Sequence, residues 1–157
     1  MRNPVRLLLR VPVPWVFVLT YLVGVVLESV RVLGTGPAGG SRTVRIVGVV
    51  VFAIGATIAG WGLLLFRRAR TTTVPGRSSA TLVNWGPYLI TRNPMYVGLT
   101  LAYLGEAGIL RQVWPVVLLP LTLAYLNWIV IPLEEARLQE AFPGDYERYR
   151  SRVRRWI

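Results

Sequence analysis

The sequence predicts an all-α fold: an integral membrane bundle of about four transmembrane helices, with a C-terminal cytoplasmic amphipathic helix and tail. Of the 157 residues, 54% are hydrophobic, and the mean hydropathy of +0.50 exceeds that of ordinary soluble domains. Four apolar runs approach the length of about 20 residues that a helix needs to cross a bilayer. Because these runs take up most of the chain, we expect a single membrane domain, residues 1–157.

The charge composition narrows the possible function classes. The formal charge is +11, and all 18 basic residues are arginines. They cluster beside apolar runs, as in the cytoplasmic flanks of membrane helices, so the expected partner is a membrane and not a nucleic acid. Histidine, cysteine and lysine are absent, which excludes disulfides, thiolate nucleophiles and imidazole bases and predicts no metal site.

The first span is predicted at about residues 13–33. Three arginines precede it as in a signal peptide, but the apolar run is too long for one. Glu28 and Arg31 lie one helical turn apart near its end and are expected to pair. The stretch 34–43, rich in glycine and small polar residues, then forms an external turn.

The second span is predicted at about residues 44–66 and ends at an arginine cluster. Four small positions would allow another helix to approach it closely, namely Gly48, Gly55, Gly60 and Gly62. The segment 71–94 mixes proline and glycine with aromatic residues, which favours a loop at the level of the lipid headgroups.

The third and fourth spans are predicted at about residues 95–110 and 113–131. Pro132 lacks a backbone donor and is expected to break or kink the helix before Leu133. Residues 134–142 have the pattern of a short amphipathic helix.

The last residues form a basic and aromatic tail after a turn at 143–145. Aromatic residues are common at membrane interfaces, so Tyr146, Tyr149 and Trp156 are predicted to be interface anchors. The arginines from Arg148 to Arg155 are predicted to form a charge run that faces lipid headgroups.

The distribution of arginines predicts the orientation. Three precede span one, five lie between spans two and three, and six follow span four. The other two connections contain Arg42, Arg45 and Arg111. Because cytoplasmic connections carry the excess of basic residues, both termini should be cytoplasmic, in a multi-pass protein of the bacterial inner-membrane type.

Two polar stretches, 82–96 and 134–155, are expected on that cytoplasmic face. One helical hairpin separates them in the sequence and would bring them together in space. Glu134 and Glu135 at the end of a span are costly unless they are solvated, paired with arginine or bound to a ligand. Arg92 is the expected neighbour.

Four segments in these stretches carry a resemblance to a known family. They are Leu82-Val83-Asn84-Trp85-Gly86-Pro87-Tyr88, Arg92-Asn93-Pro94-Met95-Tyr96-Val97-Gly98, Glu134-Glu135 and Phe142-Pro143-Gly144-Asp145-Tyr146-Glu147-Arg148-Tyr149. In this order, and with a hairpin between them, they resemble the isoprenylcysteine carboxyl methyltransferase and phospholipid methyltransferase superfamily. The resemblance covers about residues 44–157.

The resemblance implies an S-adenosylmethionine-dependent methyltransferase with its active site on the cytoplasmic side, within about residues 80–157. The acceptor would be lipophilic: a lipid amine, a carboxylate or a small hydrophobic metabolite. The implied cofactor-binding residues are Thr81, Leu82, Val83, Tyr88, Asn93, Pro94, Met95, Tyr96 and Glu134. The catalytic candidates are Arg92, Asn93 and Glu135.

The chain departs from the pattern of its relatives at two positions. Many relatives have histidine where this chain has Asn93, so an amide must make those hydrogen bonds. The prenylcysteine enzymes place an arginine four residues before the first glutamate, where this chain has Val130, which argues against a prenylcysteine substrate.

Methyl transfer is compatible with the residues that the chain has. The reaction is an in-line displacement at an activated carbon, so the protein mainly aligns the reactants and excludes water. A carboxylate acceptor needs no base, whereas an amine must lose a proton, to water or to an acid such as Glu135.

Two other functions stay open at this point. Membrane reductases of the sterol type have a similar C-terminal architecture and bind NADPH there. A small four-helix exporter or a non-catalytic membrane scaffold is the second. The exporter is suggested because an acidic residue such as Glu28 in a first span can bind cations or protons. The oligomeric state is also open.

Overall fold

The computed structural model describes residues 12–30, 42–68 and 81–157. Six α-helices lie in these ranges: α1 Val13–Ser29, α2 Arg42–Arg68, α3 Pro94–Leu110, α4 Trp114–Tyr125, α5 Ile131–Ala141 and α6 Pro143–Arg152. A 3₁₀ turn, Gly86–Leu89, precedes α3. No strand occurs in the described ranges, and Thr91 and Arg154 form an isolated bridge.

The helices have the length and surface of a membrane protein. Two helices are long and apolar enough to cross a membrane: α2, and the continuous helix from Trp114 to Ala141 that contains both α4 and α5. Helix α1 is a shorter apolar helix. The outer face of α2 exposes Val47, Val50 and Ile54, and such a face is suited to hydrocarbon and not to water. The predicted all-α membrane bundle is confirmed.

Helices α2 and α3 pack backbone to backbone through glycines. A Cβ at Gly55 would lie 2.3 Å from the amide nitrogen of Ala102, and one at Gly48 would lie 2.7 Å from the amide nitrogen of Ile109. At Gly62 the near neighbour is the Met95 side chain, whereas Gly60 has no atom within 4 Å of such a Cβ. The predicted close approach is therefore confirmed at Gly48 and Gly55, and it is wrong for Gly60.

Helix α1 packs along α4, and Glu28 joins their ends. Its Oε2 accepts hydrogen bonds from the backbone N–H groups of Val113, at 3.1 Å, and Trp114, at 3.0 Å. A carboxylate that caps a helix N-terminus satisfies donors that the helix leaves unpaired and complements its dipole. The predicted partner, Arg31, lies outside the described residues.

Of the predicted break or kink at Pro132, the break is wrong. Helix α4 continues through a π-helical turn, Leu126–Val130, directly into α5. Pro132 lies in the first turn of α5, and the wider π-turn before it changes the hydrogen-bond register, so that the missing N–H is tolerated. The fourth helix therefore extends beyond residue 131 and carries Glu134 and Glu135.

The C-terminal region packs against the core of the bundle. Tyr146 and Tyr149 are buried and pack with Leu65, Val83 and Tyr88. The indole N–H of Trp156 donates to the Asn127 side-chain oxygen at 3.1 Å. The prediction of interface anchors is wrong for Tyr146 and Tyr149, because a sequence pattern does not distinguish a headgroup contact from a core contact, whereas Trp156 is partly buried.

Candidate functional site

One cavity lies where the cytoplasmic polar stretches predicted from the sequence meet. Its volume is about 330 Å³. The walls come from the start of α1, the second half of α2, the segment from residue 81 to the first turns of α3, and helices α5 and α6. The strip 82–96 and the region of Glu134 thus line one hollow.

The structure brings the predicted site residues together around this cavity. Of the residues singled out from the sequence, those that line it are Thr81, Leu82, Val83, Tyr88, Arg92, Asn93, Met95, Tyr96, Glu134 and Glu135. Pro94 does not line it and is fully buried in the first turn of α3. Trp85, which belongs to the first of the four segments that carry the resemblance, is exposed and lies outside the lining.

Glu134 presents one carboxylate oxygen to the protein and leaves the other without a described hydrogen-bond partner. The Tyr96 hydroxyl donates to Oε1 at 2.8 Å. This bond joins α3 to α5 across the cavity and fixes the orientation of the carboxylate. A positioned carboxylate with a spare oxygen can accept hydrogen bonds from a ligand or oppose a positive charge.

Glu135 is held by two guanidinium groups. Arg155 donates from Nε at 3.1 Å and from Nη2 at 2.6 Å, and Arg92 Nη1 lies 3.1 Å from Oε1. Hydrogen bonding to Glu135 raises the pKa of Arg155. A carboxylate already occupied at both oxygens is better suited to positioning its neighbours than to accepting a proton as a free base.

Arg92 connects this ion pair to the buried tyrosines. Its Nη1 donates to the Tyr146 hydroxyl at 3.3 Å. Its Nε is buried and has no hydrogen-bond partner among the described residues. A buried donor without a partner is costly, so the described residues leave the Arg92 guanidinium incompletely satisfied.

Asn93 ties the C-terminal tail to the start of α3. Its side-chain nitrogen donates to the backbone oxygen of Arg155 at 2.9 Å, and the Thr91 hydroxyl donates to the same oxygen at 3.0 Å. The backbone N–H of Arg92 also donates to Arg154, at 2.9 Å. Asn93 makes no side-chain capping bond to α3, so its amide fastens the tail as it lines the cavity.

Tyr88 and Tyr149 also line the cavity and are joined to each other. The Tyr149 hydroxyl donates to the Tyr88 backbone oxygen at 2.7 Å. Burial raises the pKa of both hydroxyls above the ordinary value of 10.0. Both side chains therefore stay neutral at physiological pH, and the charge of the site comes from its glutamates and arginines.

Sequence reasoning did not single out several residues that complete the site. Arg155 was assigned to a lipid-facing run, yet it pairs with Glu135. Asn127 accepts from Arg155 Nη1 at 3.4 Å, and Arg137 lines the cavity. Only Arg137 had a signal in the sequence, because it lies three residues after Glu134 and so shares its helical face.

Comparison with known proteins agrees with this arrangement. A model of the phospholipid methyltransferase family matches residues 43–145, which is more than half of the chain and includes the strip 82–96 and the region of Glu134. No curated protein and no solved structure gives a significant match. Family membership and the apolar helices together indicate a membrane protein of the methyltransferase class. The chain belongs to the phospholipid methyltransferase family, within the superfamily that also contains the isoprenylcysteine carboxyl methyltransferases.

Proposed function

We propose that this protein is an S-adenosylmethionine-dependent methyltransferase that acts on a lipophilic acceptor. The observation that carries the proposal is the single cavity in which Glu134, Tyr96 and Arg92 converge between α3 and α5. The family match supports methyltransferase activity, and the resemblance of the motifs to those of the superfamily supports the choice of cofactor.

The residues around the cavity fit this cofactor. A volume of about 330 Å³ lies at the lower end of the range of roughly 300–1,000 Å³ for small-molecule sites. Glu134 offers a carboxylate oxygen to ribose hydroxyls or to a sulfonium charge, and the Tyr96 ring adds cation–π attraction. Arg92 and Asn93 add polar groups to the same lining.

When bound, the cofactor supplies a methyl group activated by a positively charged sulfur. The protein then has to hold both reactants in line and keep water out. Tyr96 orients Glu134, and the clamp of Glu135 with Arg92 and Arg155 fastens the tail over the site. We therefore assign Glu135 a positioning role first, with proton acceptance from an amine as the alternative for the same residue.

Part of the cavity lining is apolar, including Val13 at the start of α1, Gly60 and Leu63 on α2, and Leu99 on α3. An alkyl or acyl chain is suited to such a wall, because burying apolar surface is favourable in proportion to its area. We propose that the acceptor reaches the cavity from the bilayer with its chain along this wall, as a lipid amine, a carboxylate or a small hydrophobic metabolite.

We further propose a multi-pass topology with both termini and the cavity on the cytoplasmic side. The arginines that flank the cavity, such as Arg67, Arg68 and Arg92, support this orientation through the positive-inside rule. Neither alternative function gains support from the family match. Because Glu28 caps α4, the residue that suggested an exporter has a structural role.

Ligand binding tests the proposal directly. S-adenosylhomocysteine added to the purified full-length protein at a hundred times its dissociation constant should stabilise the fold by about 2.7 kcal/mol. Transfer of labelled methyl groups to membrane lipid extracts, separated by headgroup class, would then identify the acceptor. No shift in melting temperature at millimolar ligand, while a known methyltransferase shifts under the same conditions, would contradict the proposal.

A matched pair of variants separates the cavity from the surface. Glu134→Gln removes a charge that faces the cavity, and we expect about 10- to 100-fold weaker binding of S-adenosylhomocysteine. Glu140→Gln removes a charge from an exposed position on the same helix and should leave binding unchanged. Saturable NADPH binding without binding of S-adenosylhomocysteine would favour the reductase.

A further inference from the structure

Arg137 differs from Arg92, the other arginine in the cavity lining, in having no hydrogen-bonded or ion-paired partner among the described residues. It lines the cavity on α5 and is partly buried. Among the described residues it makes no hydrogen bond or ion pair. A guanidinium that is partly withdrawn from water is costly unless an anion approaches it.

The acids nearby do not satisfy it. Glu135 is occupied at both oxygens by Arg92 and Arg155. Glu134 is close enough for its charge to interact with that of Arg137, but the Tyr96 hydroxyl holds its Oε1. Glu134 and Arg137 therefore lie one helical turn apart on one face of α5. Glu134 has one carboxylate oxygen without a described hydrogen-bond partner, and the guanidinium donors of Arg137 have no hydrogen-bond partner among the described residues.

Such a pair is complementary to a ligand that carries a positive and a negative group a few bonds apart. The amino-acid end of S-adenosylmethionine has this pattern, with the sulfonium separated by two methylene groups from an α-carbon that carries an ammonium and a carboxylate. Arginine matches a carboxylate with two parallel hydrogen bonds, a geometry that ammonium groups do not provide.

We propose that Arg137 binds the α-carboxylate of the cofactor and so sets which end of the cavity receives the amino-acid part, with the methyl-bearing sulfur held near Glu134. This inference rests on the proposed function. It makes Arg137 a determinant of cofactor affinity, and it leaves the apolar wall beside Gly60 to the acceptor.

Two ligands that differ by one carboxylate test the assignment: S-adenosylhomocysteine and its decarboxylated counterpart, in which the amino-acid end is a propylamine. Binding to the detergent-solubilised full-length protein is measured by calorimetry. The unsubstituted protein should bind S-adenosylhomocysteine about 10- to 100-fold more tightly than the decarboxylated ligand. Arg137→Gln should reduce this preference to about threefold or less by weakening only the first ligand.

Two further variants control for charge and folding. Arg152→Gln removes an equal charge from an exposed position on α6 and should keep the full preference. Arg137→Lys keeps the charge but loses the two-pronged geometry, so it should retain part of the preference. Unchanged helicity by circular dichroism shows that each variant is folded.

The outcomes separate the two proposals. If the unsubstituted protein binds neither ligand, the proposed function fails, and the role of Arg137 fails with it. If it binds both ligands equally, or if Arg137→Gln weakens both by the same factor, only the role of Arg137 is overturned. If Arg137→Gln leaves both affinities intact but weakens binding of an anionic phospholipid in mixed micelles, Arg137 serves the acceptor and the assignment to the cofactor is wrong.

Discussion

Replacing Glu135 with glutamine should loosen the C-terminal tail and destabilise the whole fold. The substitution keeps the size of the side chain but removes the charge that two arginines share. Arg92 and Arg155 would then face each other across the site without a counter-ion. Since the tail is joined to the start of α3 through Thr91, Arg92 and Asn93, loss of the clamp should reach the cavity wall.

The expected cost follows from how far the ion pair is withdrawn from water. The side chains of Arg92, Glu135 and Arg155 are 11%, 13% and 31% exposed. Breaking a fully buried pair costs about 3–5 kcal/mol, and partial exposure of Arg155 reduces this to about 2–3 kcal/mol. For a chain of this size that corresponds to a fall in melting temperature of about 4–12 °C.

Two measurements on the purified protein in detergent would check this prediction. Thermal unfolding followed by tryptophan fluorescence reports the global cost. Hydrogen exchange at the Arg92 amide, which donates to the Arg154 oxygen at 2.9 Å, reports release of the tail itself. We expect this amide to exchange faster in Glu135→Gln than in the unsubstituted protein.

An exposed ion pair in the same region provides the control. Asp145 and Arg148 are paired on α6 with side chains 65% and 72% exposed. Asp145→Asn should therefore cost no more than about 0.5 kcal/mol. Equal costs for Glu135→Gln and Asp145→Asn would refute the reasoning, because burial would then have no effect on the value of the pair.

Three further predictions concern other parts of the fold. Gly55→Ala should destabilise the protein by about 1–3 kcal/mol, because the added Cβ would meet the α3 backbone. Gly60→Ala on the same helix should be neutral or stabilise the protein by up to about 1 kcal/mol. Chemical unfolding of the two variants tests this contrast, and equal effects would contradict it. Glu28→Ala should lower the free energy of unfolding by about 1–2 kcal/mol, because it removes the cap of α4. The affinity for S-adenosylhomocysteine should not change, since Glu28 lies at the end of α1 that is far from the cavity. A large loss of affinity would contradict the view that Glu28 acts only on stability. The free energy of unfolding should fall as the pH rises above about 10, because Tyr88 ionises in the unfolded chain but its raised pKa keeps it neutral in the fold. Tyr88→Phe should make this fall with pH measurably shallower. An unchanged dependence on pH would contradict the role of burial.

Much of the bundle could be predicted from the chain because its determinants are local. The apolar runs gave helices close to the expected bounds at α2 and α3. The residues that line the cavity belong to short motifs whose neighbours in the sequence stay neighbours in space. For this reason the strip from Thr81 to Tyr96 was predicted together with Glu134, although their roles toward a ligand stay predictions.

The failures all concern choices that local patterns do not make. A proline-containing stretch predicts a break, but a π-turn placed before Pro132 keeps the helix intact. Tyr146 and Tyr149 have the composition of interface anchors, and only the return of α6 against the 3₁₀ turn buries them. Gly55 and Gly60 cannot be distinguished by residue type. The path of α3 places Gly55 at a helix contact and Gly60 beside the cavity.

By itself, therefore, the sequence determined that this is a helical membrane protein with a polar, arginine-rich face and the motifs of a membrane methyltransferase superfamily, because hydropathy and short motifs act over one or two helical turns. Tertiary structure alone decided the partners of the charged groups. It placed Arg155 on Glu135 and Glu28 at the N-terminus of α4, and it placed Arg137 in the cavity lining with no hydrogen-bonded or ion-paired acid in the described part of the chain. These pairings depend on distances between residues far apart in the chain, and such distances exist only once the helices have packed.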